Sequence, residues 1–269
     1  MDQQKTSLTL FTEWPLLCEQ AAKDKSVFEN FRSSPSAKSV VETVPFKVGK
    51  QYLQQIVSQN PEFTRYFDKF RTSEDVGNPE TYGYRYKWFS EKIFFSPTTL
   101  RYIKVLSDLK KFFGSLDGMR IVEIGVGYGG QCKIISDLYE FESYTLVDLP
   151  SCLPLAKKYL DHFEVRNIIC STLDELDKKN QYDLVISNYA FSEITKGLQD
   201  DYIDKVTRKS LRGYLLCNLP SHGTKINSYS KEELTNLLNE ANVAVFEKKP
   251  YLPKFETQYN VSLLVWGTN

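Results

Sequence analysis

Residues Ile121 to Gln131 read I-V-E-I-G-V-G-Y-G-G-Q, and this stretch decides the fold. It begins with β-branched residues directly after a turn signal at Asp117-Gly118, as a short buried strand does. Four glycines follow, and residues 131–139 then place apolar side chains at helical spacing. Glycine removes the Cβ atoms that would keep a ligand from the backbone, and a new helix presents unpaired N–H groups. Strand, glycine loop and helix together predict a nucleotide-binding α/β unit.

The glycine spacing fits two kinds of cofactor site. Gly125, Gly127 and Gly130 satisfy G-x-G-x-x-G, and Asp148 follows about 20 residues later, as in a dinucleotide site. Glu123, however, precedes the first glycine, and a carboxylate at the end of a strand can help to hold the cationic end of a ligand. The unit also begins in mid-chain behind a long helical segment. Both features resemble the class I S-adenosylmethionine methyltransferases. A ligand-free turn is disfavoured because four glycines cost conformational entropy without a packing gain.

The composition is that of an ordinary globular protein. The chain has 269 residues, of which 41% are hydrophobic and 25% charged. Thirty-four basic residues balance 34 acidic ones, so no overall field recruits nucleic acid or an anionic membrane. Five scattered cysteines show no metal-binding spacing, and no apolar run approaches the length of a membrane span. The N-terminus lacks a signal core. We therefore expect a cytoplasmic protein without nucleic-acid or membrane partners.

Residues 1–115 are expected to form a mainly helical region that binds substrate or covers the site. Residues 116–269 are then the cofactor-binding domain. Amphipathic spacing predicts helices within Leu8 to Arg32, from Gly49 to Val57 and after Pro61. Another helix begins at Pro97 and ends before Gly114.

An aromatic run precedes that last helix. Tyr82, Tyr84, Tyr86 and Trp88 alternate with other residues, among them Arg85 and Lys87. This pattern fits a lid over a sugar or cofactor and fits a surface strand equally well.

Polar side chains at the ends of predicted strands indicate a ligand site. Residues 143–149 predict a second strand, at whose end Asp148 could accept hydrogen bonds from both ribose hydroxyls while Leu149 packs on adenine. Residues 166–170 predict a third strand, after which Ser171 either faces the adenine amino group or caps a helix. Tyr182 to Ile194 brings Asn188 and other polar residues to the end of a fourth strand, where ligands bind in open α/β sheets.

The predicted strands at the end of the chain distinguish a methyltransferase sheet from the sheet of a nicotinamide-binding domain. Residues 213–219, 243–248 and 259–266 predict three further strands. A closing hairpin is typical of the methyltransferase sheet and uncommon at the end of a nicotinamide domain. The expected fold is therefore a Rossmann-like class I methyltransferase sheet, mostly parallel with an antiparallel last strand, behind an N-terminal helical region.

A narrower resemblance covers about Gly77 to Trp266. The stretches S-P-T-T-L-R-Y-I-K-V-L at Ser96, V-E-I-G-V-G-Y-G-G-Q-C at Val122 and S-N-Y-A-F-S-E-I at Ser187 are similar to those of a bacterial family of sugar O-methyltransferases. The resemblance implies methyl transfer from S-adenosylmethionine to a hydroxyl of a small-molecule sugar or glycoconjugate. The cofactor-binding residues expected on this basis and from the motifs are Glu123, Gly125, Gly127, Gly129, Gln131, Asp148, Leu149, Ser171, Asn188 and Tyr189. The expected substrate-binding residues are Arg101, Tyr102 and Ser192.

A sugar hydroxyl is a poor acid, so a general base is expected beside it. Plant-type small-molecule O-methyltransferases place a His-Asp pair after the fourth strand, where this chain has Ser192-Glu193. Glu193 is one candidate for the base and could also help to hold a divalent ion; its structural alternative is to cap or brace the following helix. His222, in the predicted loop after the fifth strand, is the other because imidazole transfers protons near neutral pH. A divalent metal is conceivable, but no spacing of residues demands one.

Two other functions fit parts of the sequence. A nicotinamide-dependent oxidoreductase would use the same glycine loop, and Glu123 and the closing hairpin disfavour it. A non-catalytic module would keep the cofactor pocket without an acceptor site, and the missing His-Asp pair is compatible with it.

Overall fold

The computed structural model describes residues 13–85, 91–218, 227–240, 246–247 and 261–268. The first helices are α1 (Glu13–Lys23), α2 (Lys25–Asn30), α3 (Pro35–Val40), α4 (Phe46–Gln59) and α5 (Phe67–Arg71). The short strands β1 (Tyr82–Tyr84) and β2 (Ile93–Phe95) form an antiparallel pair ahead of α6 (Pro97–Phe113). Residues 61–66, expected to be α-helical, form a 3₁₀ helix that continues into α5. Tyr86 and Trp88 of the aromatic run lie outside the described residues.

An alternating α/β arrangement follows. Its strands are β3 (Arg120–Ile124), β4 (Ser143–Val147), β5 (Ile168–Ser171), β6 (Tyr182–Asn188), β7 (Ser210–Asn218), β8 (Phe246–Glu247) and β9 (Val261–Trp266). Its helices are α7 (Gly130–Ser136), α8 (Leu153–His162), α9 (Lys196–Lys205) and α10 (Lys231–Glu240). Ser230 and Glu233 form the expected capping box at the start of α10.

Among the described residues, seven strands form one sheet in the order β5-β4-β3-β6-β7-β9-β8. Strands β3 to β7 run parallel, while β9 is antiparallel to both β7 and β8. A dinucleotide-binding sheet with the order 3-2-1-4-5-6 has no such inserted antiparallel strand. The predicted α/β sheet, with its antiparallel last strand, is confirmed.

Close packing explains why β7 accepts β9 as its neighbour. Gly213 pairs with Trp266, and a Cβ atom on Gly213 would lie 2.1 Å from the indole ring. The Trp266 Nε1–H donates to the carbonyl of Ser210 at 3.3 Å, which ties the indole to β7.

The N-terminal helices share a hydrophobic core with the sheet. One cluster of buried side chains runs from Trp14 in α1 through Leu106 in α6 to Ile121 in β3. Helix α1 packs against α8, and α4 packs against α6. This core places the helical region directly over the carboxyl ends of the strands, where the candidate site lies. No helix among the described residues is both long and apolar enough to cross a membrane.

A buried ionic cluster ties the helical region to the glycine loop. Arg32 is fully buried, and its Nε donates to Glu42 Oε1 at 2.6 Å while its Nη2 lies 3.5 Å from Glu74 Oε2. Its guanidinium also lies 5.0 Å from the ring centroid of Tyr128, whose hydroxyl donates to Glu42 Oε1 at 3.3 Å. Because Tyr128 belongs to the glycine loop, the cluster connects that loop to segments about 50 to 100 residues earlier in the chain.

Candidate active site

A cavity of about 540 Å³ lies at the carboxyl ends of β3, β4 and β6, beneath the N-terminal helices. Its sheet side is lined by Glu123, Ile124, Gly125, Val126, Gly127, Asp148, Leu149, Cys152, Leu173, Asn188, Tyr189, Ala190, Glu193, Ile194, Leu198, Tyr202, Asn218 and Val261. Its helical side is lined by Trp14, Pro15, Ser39, Val40, Val41, Thr43, Val44, Pro45, Val48, Tyr52, Arg101 and Tyr102. The volume is of the size that binds a small organic ligand.

Gly125 and Gly127 bring the backbone to the wall of the cavity. Gly125 has φ +74°, and a Cβ atom there would lie 2.0 Å from the Cβ of Ala190. Gly127 has φ +58°, and its added Cβ would lie 3.1 Å from Val41. Both positions require glycine because the backbone is left-handed there, and Gly125 also leaves no room for a Cβ atom.

Glu123 is a buried carboxyl group that lines the cavity. It is 2% exposed, and its Oε2 accepts a hydrogen bond from the hydroxyl of Tyr144 at 2.7 Å. Burial raises the pKa of Glu123 to about 8, the Tyr144 bond lowers it, and the nearby Asp148 raises it further. A cationic ligand group beside Glu123 would stabilise the ionised carboxylate and reverse this shift.

Asp148 is held at the end of β4 by backbone donors. Its Oδ2 accepts from the N–H of Gly127 at 3.0 Å, and its Oδ1 accepts from the N–H of Leu149 at 2.7 Å. Burial raises the pKa of Asp148, while these backbone hydrogen bonds act in the opposite direction. The bonds fix the carboxylate at the rim of the glycine loop, where it can accept hydrogen bonds from ligand hydroxyls.

Asn188 presents an unsatisfied oxygen at the end of β6. Its Nδ2 donates to Gln131 Oε1 at 3.3 Å, and Gln131 Nε2 donates to the carbonyl of Tyr102 at 3.2 Å. Asn188 Oδ1 is buried and accepts no hydrogen bond from the described residues. Such an atom costs about 1–3 kcal/mol unless a partner arrives. A ligand with a hydrogen-bond donor would satisfy it.

Tyr189 adopts a strained backbone next to Asn188. Its φ of +75° is in the region that favours glycine, and its N–H donates to the carbonyl of Leu216 at 2.7 Å. Its ring lies 5.5 Å from the guanidinium carbon of Arg101, which is equally far from the ring of Tyr102. The turn thus places an aromatic side chain beside a cation at the edge of the cavity.

Glu193 and Asn218 meet where β6 and β7 end. Asn218 Nδ2 donates to Glu193 Oε1 at 2.9 Å, and both residues line the cavity. The second predicted base, His222, lies outside the described residues. As a carboxylate, Glu193 can accept a hydrogen bond from a ligand hydroxyl.

Four expected site residues do not line the cavity. Gly129 is the left-handed N-cap of α7 and faces Leu160, so it shapes the turn behind the wall. Gln131 is 1% exposed and stands behind Asn188. The hydroxyls of Ser171 and Ser192 donate to backbone carbonyls, at 3.0 and 2.7 Å. Whether any of these four residues contacts a ligand stays a prediction.

Sequence reasoning missed most of the helical side of the cavity. Trp14, Val41, Val48 and Tyr52 come from three separate segments whose apolar spacing is that of ordinary amphipathic helices. No local pattern distinguishes a cavity-facing from a core-facing position on such a helix. Asn218 could have been found, because it ends a predicted parallel strand next to the fourth one.

In the part of the chain that the structure describes, no group of three or more His, Cys, Asp or Glu side chains is arranged to hold a metal ion.

A superposition on a solved structure identifies the fold of this chain. A candidate sarcosine dimethylglycine methyltransferase from Galdieria sulphuraria superposes with a TM-score of 0.51 over 76% of this chain and 98% of its own, at 14% identity. That likeness agrees with the inserted antiparallel strand β9. The chain has the class I methyltransferase fold. At 14% identity, the two proteins share a fold, and the likeness says nothing about their substrates.

Sequence relatives match short parts of the chain. A malonyl-[acyl-carrier protein] O-methyltransferase from Priestia megaterium is 39% identical over 72 residues, 26% of each chain. The enzyme of the same name from Anoxybacillus flavithermus is 34% identical over 98 residues, 36% of this chain and 37% of its own. The chain thus spans between about a quarter and about two fifths of the length of these curated relatives. No family model matches the chain.

Proposed function

We propose that the protein is an S-adenosylmethionine-dependent O-methyltransferase that methylates a hydroxyl of a sugar or sugar conjugate. The observation that carries the proposal is that Glu123 and Asn188 line the same cavity of the class I methyltransferase fold. One is a buried carboxyl with a pKa near 8, and the other is an oxygen without a donor. Both call for a cationic hydrogen-bond donor, which the methionine ammonium group supplies.

The other cavity residues fit the rest of S-adenosylmethionine. Asp148 accepts hydrogen bonds from the ribose hydroxyls, because backbone N–H groups hold its carboxylate in place. Leu149 and Tyr202 supply apolar surface for adenine, and Gly125 and Gly127 let the ligand approach the backbone. Oxygen acceptors at one end and apolar surface at the other match a nucleoside joined to a cationic amino acid.

The chemistry asked of the protein is positioning and proton removal. The sulfonium of S-adenosylmethionine supplies an activated methyl group. The largely apolar wall formed by Val41, Val44, Val48 and neighbouring residues excludes water from the acceptor. Orientation of the reacting groups contributes up to roughly 7–11 kcal/mol in the best intramolecular cases. The protein needs no covalent intermediate for this reaction.

We assign proton removal to Glu193. Its carboxylate lies in the cavity at the end of β6, and Asn218 orients it with a 2.9 Å hydrogen bond. A positioned base contributes about 10²–10⁴ in rate. His222 stays the second candidate. A Glu193→Gln variant that keeps cofactor affinity but loses at least about 100-fold in kcat supports Glu193, whereas an unchanged kcat shifts the role to His222.

We divide the chain into the helical region 1–115, which supplies the acceptor wall, and the cofactor-binding domain 116–269. The sugar acceptor is supported by the resemblance of the stretches at Ser96 and Ser187. A cytoplasmic location is supported by the five free thiols of the chain, which form no disulfide among the described residues.

Two alternatives make different predictions. A nicotinamide-dependent oxidoreductase would bind NAD⁺ or NADP⁺, and β9, inserted antiparallel into the sheet, speaks against that class. A non-catalytic module would bind S-adenosylmethionine and methylate nothing, and it is disfavoured by the carboxylate of Glu193 at the acceptor end of the cavity.

The test is isothermal titration of the protein with S-adenosylmethionine, S-adenosylhomocysteine, NAD⁺ and NADP⁺. We expect saturable binding of the adenosyl compounds, lost in Gly127→Arg and weakened at least about tenfold in Asp148→Asn. The matched controls are Gly197→Ala, where an added Cβ meets nothing within 4 Å, and Asp161→Asn in an exposed ion pair. Binding of a nicotinamide, or equal losses in the control variants, would contradict the proposal.

A further inference from the structure

The cavity wall beside Glu193 is aliphatic. Ile194 follows Glu193 directly, and Leu198 lies in the first turn of α9. Val261 begins β9 and pairs with Asn218, the residue whose amide donates to Glu193 Oε1. Ile194, Leu198 and Val261 all line the cavity. The proposed base and its hydrogen-bond partner therefore have hydrocarbon side chains as neighbours on the sheet side of the wall.

Four valines form a second aliphatic surface, on the helical side of the cavity. Val40 and Val41 lie at the C-terminal end of α3, and Val44 and Val48 lie just before and within α4. All four line the cavity, and Val41 and Val48 are only 7% and 3% exposed. These four residues, here called the valine wall, offer a ligand methyl groups and no hydrogen-bonding atom of a side chain.

The cavity opens to solvent beside the valine wall. Ser39, Thr43 and Pro45 are interleaved with the valines in sequence and also line the cavity, but they are exposed. The wall therefore has a buried part at Val41 and Val48 and an open rim between α3 and α4. A ligand that is longer than the cavity can extend past this rim into solvent.

A free sugar does not suit such a surface. Each hydroxyl of a buried sugar gives up its hydrogen bonds to water, which is unfavourable unless the protein replaces them. The valine wall has no side-chain group that could replace them. A hydrocarbon chain, in contrast, gains free energy on such a wall in proportion to the apolar area that leaves water. Glu193 can still accept the hydrogen bond of the one hydroxyl that reacts.

We infer that the methyl acceptor is a glycoconjugate whose aliphatic chain packs against the valine wall. This inference rests on the proposed function, and it narrows a sugar or sugar conjugate to a lipid-like conjugate. The reacting hydroxyl of the sugar lies beside Glu193, and the chain runs along the wall toward the rim at Pro45. The chain anchors the acceptor, and no bond to it forms or breaks.

The experiment measures how affinity depends on the length of the chain. Methyl, propyl, hexyl and octyl β-D-glucoside, each below its micelle-forming concentration, are titrated calorimetrically into the protein saturated with S-adenosylhomocysteine. We expect the affinity to rise about three- to fourfold for each added methylene until the chain passes the rim. Phenyl β-D-glucoside, which has as many aglycone carbons as the hexyl compound, should bind more weakly than it.

Matched variants connect this effect to the valine wall. Val48→Thr and Val44→Thr keep the shape of the side chain but add a hydroxyl that a bound chain would remove from water. Affinity for hexyl β-D-glucoside should fall roughly three- to tenfold in each, while affinity for S-adenosylhomocysteine stays within about threefold. The control is Val57→Thr, because Val57 is buried in the same helix as Val48 but does not line the cavity. It should keep the full dependence on chain length.

Thermal unfolding shows whether each variant folds. Val44 is only half-buried, so Val44→Thr keeps the test decisive if Val48→Thr does not fold.

Four results would overturn the inference. These are an affinity that does not rise with chain length, tighter binding of the phenyl than of the hexyl glucoside, equal losses in the control and wall variants, and a tenfold loss of S-adenosylhomocysteine affinity in the wall variants. The last result would assign the valine wall to the cofactor. If the unmodified protein does not bind S-adenosylhomocysteine, the proposed function fails, and the same titrations without it still decide whether the valine wall binds an aliphatic chain.

Discussion

Glu123 gives the proposed cofactor site a pH dependence that can be calculated from its surroundings. With a pKa of about 8, the carboxyl is about 1% ionised at pH 6 and about 9% ionised at pH 7. A ligand ammonium pairs with the ionised form alone, so its affinity should rise nearly tenfold over this interval, equal to about 1.3 kcal/mol. The ligand α-amino group stays mostly protonated over this interval, because the ordinary pKa of an α-amino group is about 7.7–8.0.

The assay is calorimetric titration with S-adenosylhomocysteine at pH 6.0, 6.5 and 7.0. Titrations at pH 7 in two buffers of different ionisation enthalpy should also reveal release of close to one proton per molecule bound, because binding ionises Glu123. The Glu123→Gln variant keeps an acceptor for the Tyr144 hydroxyl but should bind more weakly and without this pH dependence. Asp161→Asn, altered in an exposed ion pair, should keep the full slope. An affinity of the unmodified protein that does not change with pH, or an equal slope in Glu123→Gln, would refute the reasoning.

Three further predictions concern folding. Because folding raises the pKa of Glu123, the ligand-free protein should lose stability as pH rises from about 4.5 to 8, by up to about 1.4 kcal/mol per pH unit. The urea midpoint of Glu123→Gln should fall less over the same pH range than that of the unmodified protein. Gly125→Ala should lower the free energy of unfolding by more than about 2 kcal/mol, whereas Gly197→Ala, with nothing within 4 Å, should leave it equal or higher in the same urea titration. Arg32→Met leaves two buried carboxylates without their cation and should cost about 3–5 kcal/mol, against less than about 0.5 kcal/mol for Lys25→Met in an exposed pair. Equal effects within either pair of variants, measured by denaturant unfolding, would contradict the structural explanation.

The sheet side of the site could be predicted because its signals are local. A buried strand followed by glycines, and Asp148 at the end of the next strand, depend on residues that are close in sequence. Parallel strands bring their carboxyl ends together, so the positions of Glu123, Asp148 and Asn188 in one cavity follow from the pattern. Whether they bind the proposed cofactor stays a prediction.

The helical side could not be predicted for the opposite reason. Trp14 and Val41 reach the cavity through packing between segments that are about 80 to 110 residues from β3 along the chain. Spacing on an amphipathic helix identifies a buried face but does not tell a core from a cavity. Gln131 is a second example. Its amide oxygen accepts a hydrogen bond from Asn188, which is 57 residues away in sequence, so no local pattern could show where this side chain points.

The backbone of Tyr189 has a consequence for engineering. A non-glycine residue at φ +75° costs of order 1–3 kcal/mol, so glycine at this position would relax the turn. A directed-evolution campaign that selects only for heat resistance would therefore reward the loss of this tyrosine, together with its ring beside Arg101. Thermostability and the ligand contact proposed for Tyr189 would compete at a single position, and a library that is to keep both should leave that codon fixed.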